Sequence, residues 1–392
     1  MHGFDIQQKP FIIFWEVTRA CLLTCKHCRA RAQKKRHPDE LDTEEVFRVI
    51  DQITEFGEPY PLVVFTGGDP LMREDIFDIV SYATSKGIRS AMAFSGTKLA
   101  TEDKMKELKR SGIARVAISL DGSNSEIHDY FRGISGTFEI SMDILRMTRE
   151  MGISRQINTT VTNFNIHDLP NIMNIGIDNE IVLWDVFFVV PTGRAKTEYM
   201  PTSIQFEDVL NWLYDVGNQT PLNVKSSAAT HLRRIEYMRD AELYNRKPGE
   251  LYHELMGQLN NTVSTKNFTP ESKKAIVSGA HGRSLASDGI KRSMGITDGR
   301  GMFFISHLGE VYPSGFLPIV AGNVRETTLK NIYMGMDIFK DLKDADKLKG
   351  KCGKCEFRYI CGGSRARAYA MSGDYLEAEP RCIYPTGEVE LD

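Results

Sequence analysis

The seven cysteines of this chain fall in two tight groups. Cys21, Cys25 and Cys28 share one short stretch, Cys-Leu-Leu-Thr-Cys-Lys-His-Cys, spaced C-x3-C-x2-C. Cys352, Cys355, Cys361 and Cys382 lie toward the other end, with no cysteine between Cys28 and Cys352. An odd number grouped this way does not read as a disulfide framework. Clustered thiolates are soft ligands that select zinc or iron–sulfur clusters, and buried free thiols are the bland alternative. A structural zinc ion wants a fourth ligand and a closed tetrahedron. The first group offers three sulfurs, and His27 is too close in sequence to Cys28 to share the same ion easily. Three sulfurs on a cubane leave one iron open, as catalysis requires. The second group supplies four ligands, and its spacing leaves zinc and a fully ligated iron–sulfur cluster both open.

The elements that must position these groups read as βα units. Residues 11–17 (FIIFWEV) and 62–65 (LVVF) are apolar runs that predict buried strands. Further strands are predicted at 89–94, 116–120, 155–161 and 181–190. Helices are predicted at 43–56, 74–86, 101–111, 136–151, 168–177 and 203–216, with Thr43 expected to cap the first. Six such repeats imply an α/β fold, a parallel sheet with helices outside and chemistry at the strands' C-terminal ends. After residue 220 the pattern breaks into polar, mixed sequence, and residues 302–313 predict a hairpin turning at Leu308-Gly309. The expected division is a core over 1–220, an irregular insert or linker over 221–300 and a cysteine-rich extension over 301–392. A net charge of −3 gives no electrostatic case for nucleic acid. No apolar run reaches the length of a membrane span, and the first nine residues lack a signal-peptide pattern, so the chain reads as cytoplasmic.

The Cys21–Cys28 spacing, on a loop after the first strand of such a repeat, resembles the radical S-adenosylmethionine (SAM) superfamily. The resemblance implies a partial (βα)6 TIM-like barrel. It also implies a 4Fe–4S cluster on Cys21, Cys25 and Cys28 whose open iron takes the amino and carboxylate groups of SAM. One electron, from a donor such as a ferredoxin or flavodoxin, then breaks the sulfonium bond, and a 5′-deoxyadenosyl radical abstracts hydrogen from the substrate. Residues 66–70 (TGGDP) resemble the Gly-Gly-Glu-Pro stretch whose backbone receives the SAM amino group, with Asp69 where relatives have Glu. Gly67 and Gly68 permit close backbone approach. Ser95, in Ser95-Gly96-Thr97, matches a ribose-contacting turn, although a plain polar turn reads the same way. Ser119 matches a SAM-contacting serine, followed by Asp121, which shapes its loop. Arg132, in HDYFRG, matches an arginine that pairs with the SAM carboxylate, a role suited to a rigid guanidinium fork, against the alternative of a surface ion pair. Asn158 matches a ribose or adenine contact.

The second group resembles the SPASM/Twitch extension, through Cys361-Gly-Gly-Ser-Arg-Ala-Arg-Ala-Tyr-Ala and the segment ending Pro380-Arg381-Cys382. The resemblance implies auxiliary 4Fe–4S clusters. Ser314 stands where a cysteine often sits, so one auxiliary cluster is expected, on Cys352, Cys355, Cys361 and Cys382. Across nearly the whole chain the sequence is similar to the branch that makes haem anaerobically and the d-type haem. That likeness implies hydrogen abstraction from a tetrapyrrole propionate, with loss of carbon dioxide and an electron. Arg194, Arg233 and Arg234 are the expected propionate contacts, and His231 and His307 the expected substrate contacts as axial iron ligands. A peptide-modifying SPASM maturase is the rival enzyme, and an iron–sulfur electron carrier or a zinc-stabilised binding module the non-catalytic rivals.

Overall fold

A computed structural model describes residues 5–266, 268 and 295–387. Residues 269–294 of the expected insert lie outside the described residues. One sheet organises the rest. Its strands are β1 (Ile12–Thr18), β2 (Leu62–Gly67), β3 (Ser90–Phe94), β4 (Arg115–Ser119), β5 (Arg155–Val161), β6 (Leu183–Phe188), β7 (Val224–Ser227), β8 (Met302–Ile305), β9 (Glu310–Tyr312) and β10 (Gly322–Asn323). Their order is β10-β9-β8-β1-β2-β3-β4-β5-β6-β7. The run from β8 through β1 to β7 is parallel, and β8, β9 and β10 pair antiparallel.

Two differences from the sequence reading matter for the site. A seventh parallel strand, β7, lies where irregular sequence was expected. Its residues, Val-Lys-Ser-Ser, carry no apolar run because only Val224 reaches the core. The hairpin of β8 and β9, expected within the 301–392 extension, joins the same sheet: β8 lies alongside β1, with Ile12 opposite Met302 and Trp15 opposite Ile305.

The period of two along each strand sorts side chains between two faces. Ile13, Trp15, Val17, Val63, Phe65, Met92, Val116, Ile118, Ile157, Trp184, Val186, Phe303 and Ile305 join one apolar core with residues of the helices. The helices are α1 (Thr43–Thr54), α2 (Ile76–Ser85), α3 (Glu102–Arg110), α4 (Ser125–Arg132), α5 (Thr137–Glu150), α6 (Leu169–Asp178), α7 (Ser203–Gln219), α8 (His231–Asp240) and α9 (Glu250–Lys266). The alternate residues face away from the helices: Phe14, Glu16, Thr66, Ala91, Ala93, Ala117, Ser119, Asn158, Asp185, Lys225 and Phe304. Alanines on β3 and β4 leave room there, and polar residues flank it. The cap of α1 is Asp42 rather than Thr43. The Asp42 carboxylate accepts from the Glu45 amide, and the Glu45 side chain accepts from the Asp42 amide. No helix among the described residues is long and apolar enough to cross a membrane.

Candidate active site

The first three cysteines hang on a loop closed at its base. The Cys21 amide donates to the Gln33 carbonyl at 2.7 Å, and the Gln33 amide to the Arg19 carbonyl at 3.1 Å. Neighbouring elements pin the loop from two sides. Lys26 N–H donates to the Phe131 carbonyl at the end of α4 (3.0 Å), and Arg194 N–H to the Cys28 carbonyl (2.9 Å). Each sulfur faces one N–H donor: Leu23 N at 3.3 Å from Cys21, Ala32 N at 3.4 Å from Cys28, and Arg132 Nη1 at 3.9 Å from Cys25. Burial pushes the Cys21 thiol up to about 12 and raises Cys25 as well, the latter against the pull of Arg132. Cys21 and Cys25 are therefore protonated until a metal displaces the protons. Among the described residues, no three His, Cys, Asp or Glu side chains converge as ligands of a single ion. Three hydrogen-bonded sulfurs on one loop fit a wider cluster better than one zinc ion.

Gly67 and Gly68 let the start of this loop lie on the end of β2. A Cβ on Gly68 would come within 2.2 Å of the Ala20 carbonyl oxygen, and one on Gly67 within 2.3 Å of the Thr18 oxygen. Gly68 N–H and Asp69 N–H donate to Thr18 and Ala20. Gly68→Ala is expected to displace Thr18–Ala20 and strip most of the iron from the first cysteine group; iron and acid-labile sulfide per chain measure it. The Asp69 side chain is fully buried, accepting from Thr97 Oγ1 at 2.6 Å and Leu71 N at 3.1 Å, and burial raises it to about 6. Ser95 starts the same turn, its carbonyl accepting from Thr97 N.

Ser119, Asn158, Asp185 and Lys225 stand in register across β4 to β7, forming a polar row on the face away from the helices. The Asp185 carboxylate takes Lys225 Nζ at 2.7 Å and Ser227 Oγ at 2.8 Å. Sequence reading missed Asp185 and Lys225; the charge inside the apolar run of 181–190 was the available signal. Asp121 is fully buried, ion-paired with Arg132 and accepting from Thr160 N at 2.7 Å. Arg132 is thus a buried cation between Asp121 and Cys25, not a surface residue, and its Nε has no partner. His27, also missed, stacks on Phe131 at 4.3 Å and 5°. Burial and the charges of Arg132 and Arg194 hold it well below the ordinary imidazole value, so it is neutral.

The Radical SAM superfamily model matches residues 15–175. The AdoMet-dependent heme synthase of Nitratidesulfovibrio vulgaris is 38% identical over 375 residues, 95% of this chain and 92% of that protein. The chain belongs to the radical SAM superfamily. The AdoMet-dependent heme synthase of Methanosarcina barkeri is 35% identical over 97% of this chain and 98% of that one. Among solved structures, SuiB of Streptococcus suis bound to precursor peptide SuiA aligns with a TM-score of 0.66 at 16% identity, covering 96% of this chain and 76% of that one, a likeness of fold. Radical SAM membership implies a 4Fe–4S cluster and SAM, and makes the chain an enzyme.

The remaining residues divide between two places. Arg194 belongs beside the radical SAM cysteine loop: its turn is clipped to Cys28, and its buried Nε and Nη2 have no partner. His307 lies in a layer behind that loop. Its Nδ1 meets Glu16 Oε1 at 2.7 Å, and Glu16 Oε2 meets Arg29 Nη1 at 3.0 Å, one residue past Cys28. Glu16, a charge inside the FIIFWEV strand, was legible and not used. His231 lies elsewhere, on the wall of a pocket lined by all four of Cys352, Cys355, Cys361 and Cys382. Arg233 donates to the carbonyls of Ile296 (2.5 Å) and Ile360 (3.4 Å) and so ties backbone segments together. In the four-cysteine pocket Glu379 N donates to Cys352 Sγ at 3.3 Å, and Arg365 Nη2 lies 3.7 Å from the same sulfur. Ser314 does not line that pocket; its hydroxyl accepts from Phe316 N in its own turn.

Proposed function

We propose that this protein removes carboxyl groups from propionate side chains of an iron tetrapyrrole, using SAM. One observation carries the reading. Arg132, a buried residue, and Arg194, a partly exposed one, both lie beside the cysteine loop, and each has buried guanidinium N–H groups without a partner among the described residues. Buried unpartnered cationic donors are costly and mark where an anion belongs. SAM brings one carboxylate; a second guanidinium calls for another, from the substrate. The full-length likeness to two heme synthases supports a propionate as its source.

Cys21, Cys25 and Cys28 would hold the SAM cluster, and Cys352, Cys355, Cys361 and Cys382 an auxiliary one. The chemistry such a cluster supplies at the first site is one electron for the SAM sulfonium, yielding a 5′-deoxyadenosyl radical. Arg132, fixed by Asp121, orients the SAM carboxylate. Gly67, Gly68 and Asp69 shape the adjoining backbone; Ser95, Ser119 and Asn158 flank the nucleoside. Arg194 holds the substrate propionate so that the carbon attached to the ring meets the radical. Loss of one hydrogen atom, carbon dioxide and one electron then leaves a vinyl group, so an acceptor must take that electron.

Anaerobic protein with reductant, SAM and iron-coproporphyrin should give 5′-deoxyadenosine and a tetrapyrrole lighter by carbon dioxide and two hydrogens per side chain. Turnover of SAM with no change in any tetrapyrrole, but a new crosslink in a supplied peptide, would move the protein to the peptide-modifying class. Arg194→Ala is expected to weaken tetrapyrrole binding at least about tenfold, the loss of one charge-assisted hydrogen bond. Unchanged affinity in an anaerobic titration would remove Arg194 from the substrate site.

A further inference from the structure

Part of the wall of the four-cysteine pocket is built by α8. His231 and Arg234 stand one turn apart on that helix, and both line the pocket. His231 is 2% exposed, and neither ring nitrogen has a hydrogen-bond partner. Arg234 Nε is also buried without one, while its Nη2 is committed to both oxygens of Glu207 at 2.7 Å. Arg365 lies beside the pocket, with its Nη2 3.7 Å from Cys352 Sγ and its Nε buried without a partner among the described residues. A buried imidazole nitrogen left unsatisfied is expensive, and an imidazole has no apolar reason to sit among thiols. Two residues of the pocket wall with unsatisfied buried N–H groups, and a third guanidinium beside Cys352, suit an acceptor of several lone pairs among these sulfurs.

We infer that His231 donates a hydrogen bond to a sulfur of the auxiliary cluster, with Arg234 and Arg365 beside it, and thereby makes that cluster easier to reduce. This rests on the reading of Cys352, Cys355, Cys361 and Cys382 as its ligands. Hydrogen bonds to cluster sulfurs and nearby positive charge stabilise the more negative, reduced state. The structure thus assigns His231 to positioning and tuning an electron acceptor, away from the tetrapyrrole iron. Taking up the electron released with carbon dioxide is easier for a cluster surrounded in this way.

The test is potentiometric EPR of the anaerobic holoenzyme with two substitutions. His231→Met removes the donor but keeps a side chain that fills irregular space. His231→Gln keeps an N–H donor. The expected result is full auxiliary-cluster iron in both, a lower auxiliary potential in the Met variant only, and an unchanged potential at the SAM cluster. Pulsed EPR of the reduced wild type carrying 15N-labelled histidine should show a histidine nitrogen and its exchangeable proton coupled to the auxiliary cluster, distinct from the N–H groups of Glu379 and Arg365, which also decides the matter if the Met variant folds poorly. An unshifted potential with no such proton would overturn the assignment, as would loss of auxiliary iron in both variants, which would make His231 a ligand. Wild-type protein with only the SAM cluster, by iron content and Mössbauer spectra, would instead remove the auxiliary-cluster reading beneath it.

Discussion

Cys25→Ala is expected to abolish 5′-deoxyadenosine formation from SAM, down to the background without enzyme. Cys25 is buried, sits at the middle of the three-sulfur loop and is the sulfur facing Arg132 at 3.9 Å. Its loss removes one of the three proposed cluster ligands and leaves Arg132 in its pair with Asp121. Cys21→Ala and Cys28→Ala should behave alike. The contrast is with Cys355→Ala and Cys361→Ala, which should keep SAM cleavage, at least uncoupled from product, and lose the iron of one cluster. Product chromatography and iron per chain distinguish the two groups. Loss of all iron on substituting Cys355 would show that the cysteines do not divide as proposed.

The second large effect is on stability. Arg367 and Glu379 are fully buried and ion-paired at 3.1 Å. The same guanidinium reaches the carbonyls of Phe188 at 3.2 Å and Ala228 at 2.7 Å, at the last residue of β6 and just past the end of β7. It fastens the Arg365–Ser372 helix to the sheet. Arg367→Met is expected to cost about 3–5 kcal/mol, the usual penalty for breaking a buried pair and stranding its partner. Lysine should restore little, since one ammonium cannot serve that spread of acceptors. The cost should depend on pH. In the wild type, burial raises the Glu379 carboxyl, but Arg367, His231 and the amides of Arg381 and Ser364 together outweigh it and hold it below the ordinary 4.5. Its contribution is present above that value and fades as pH falls through the lower folded value. In the variant the stranded carboxyl is raised instead and can be neutralised by acid. The gap between the two proteins should therefore narrow on acidification, as read from denaturant midpoints. A gap constant with pH would mean that packing, not charge, sets the loss.

What could be read from sequence, and what could not, follows from how local the signal was. The βα alternation and both cysteine groups are local patterns and were legible. So were Gly67 and Gly68, although sequence could not show that their missing side chains make room for the carbonyls of Thr18 and Ala20. Strand β7 was not legible, because three of its four residues are Lys or Ser facing other polar groups rather than core. His231 looked like an iron ligand for a substrate because nothing in sequence brings it to Cys361, 130 residues later; Thr230, beside it, lies 3.7 Å from that sulfur only once the tail closes over α8. Arg233 was grouped with it by adjacency, yet successive helical residues point different ways, and the two serve different partners.

The pairing of β8 with β1 has a consequence for any shortened version of this protein. Phe14 and Trp15 of the chain's first strand are zipped to residues 304 and 305, so the barrel cannot complete its opening edge until nearly 300 further residues exist. A fragment stopping near residue 220 would keep the pairing of β1 with β2 but leave the other edge of the Ile-Ile-Phe-Trp ribbon, the one that faces β8, without partners for its amides and carbonyls, a template for self-association into insoluble matter. Such a fragment should precipitate during production where the full chain does not. Folding to completion should also be slow for the chain's size, because its closing seam joins distant segments.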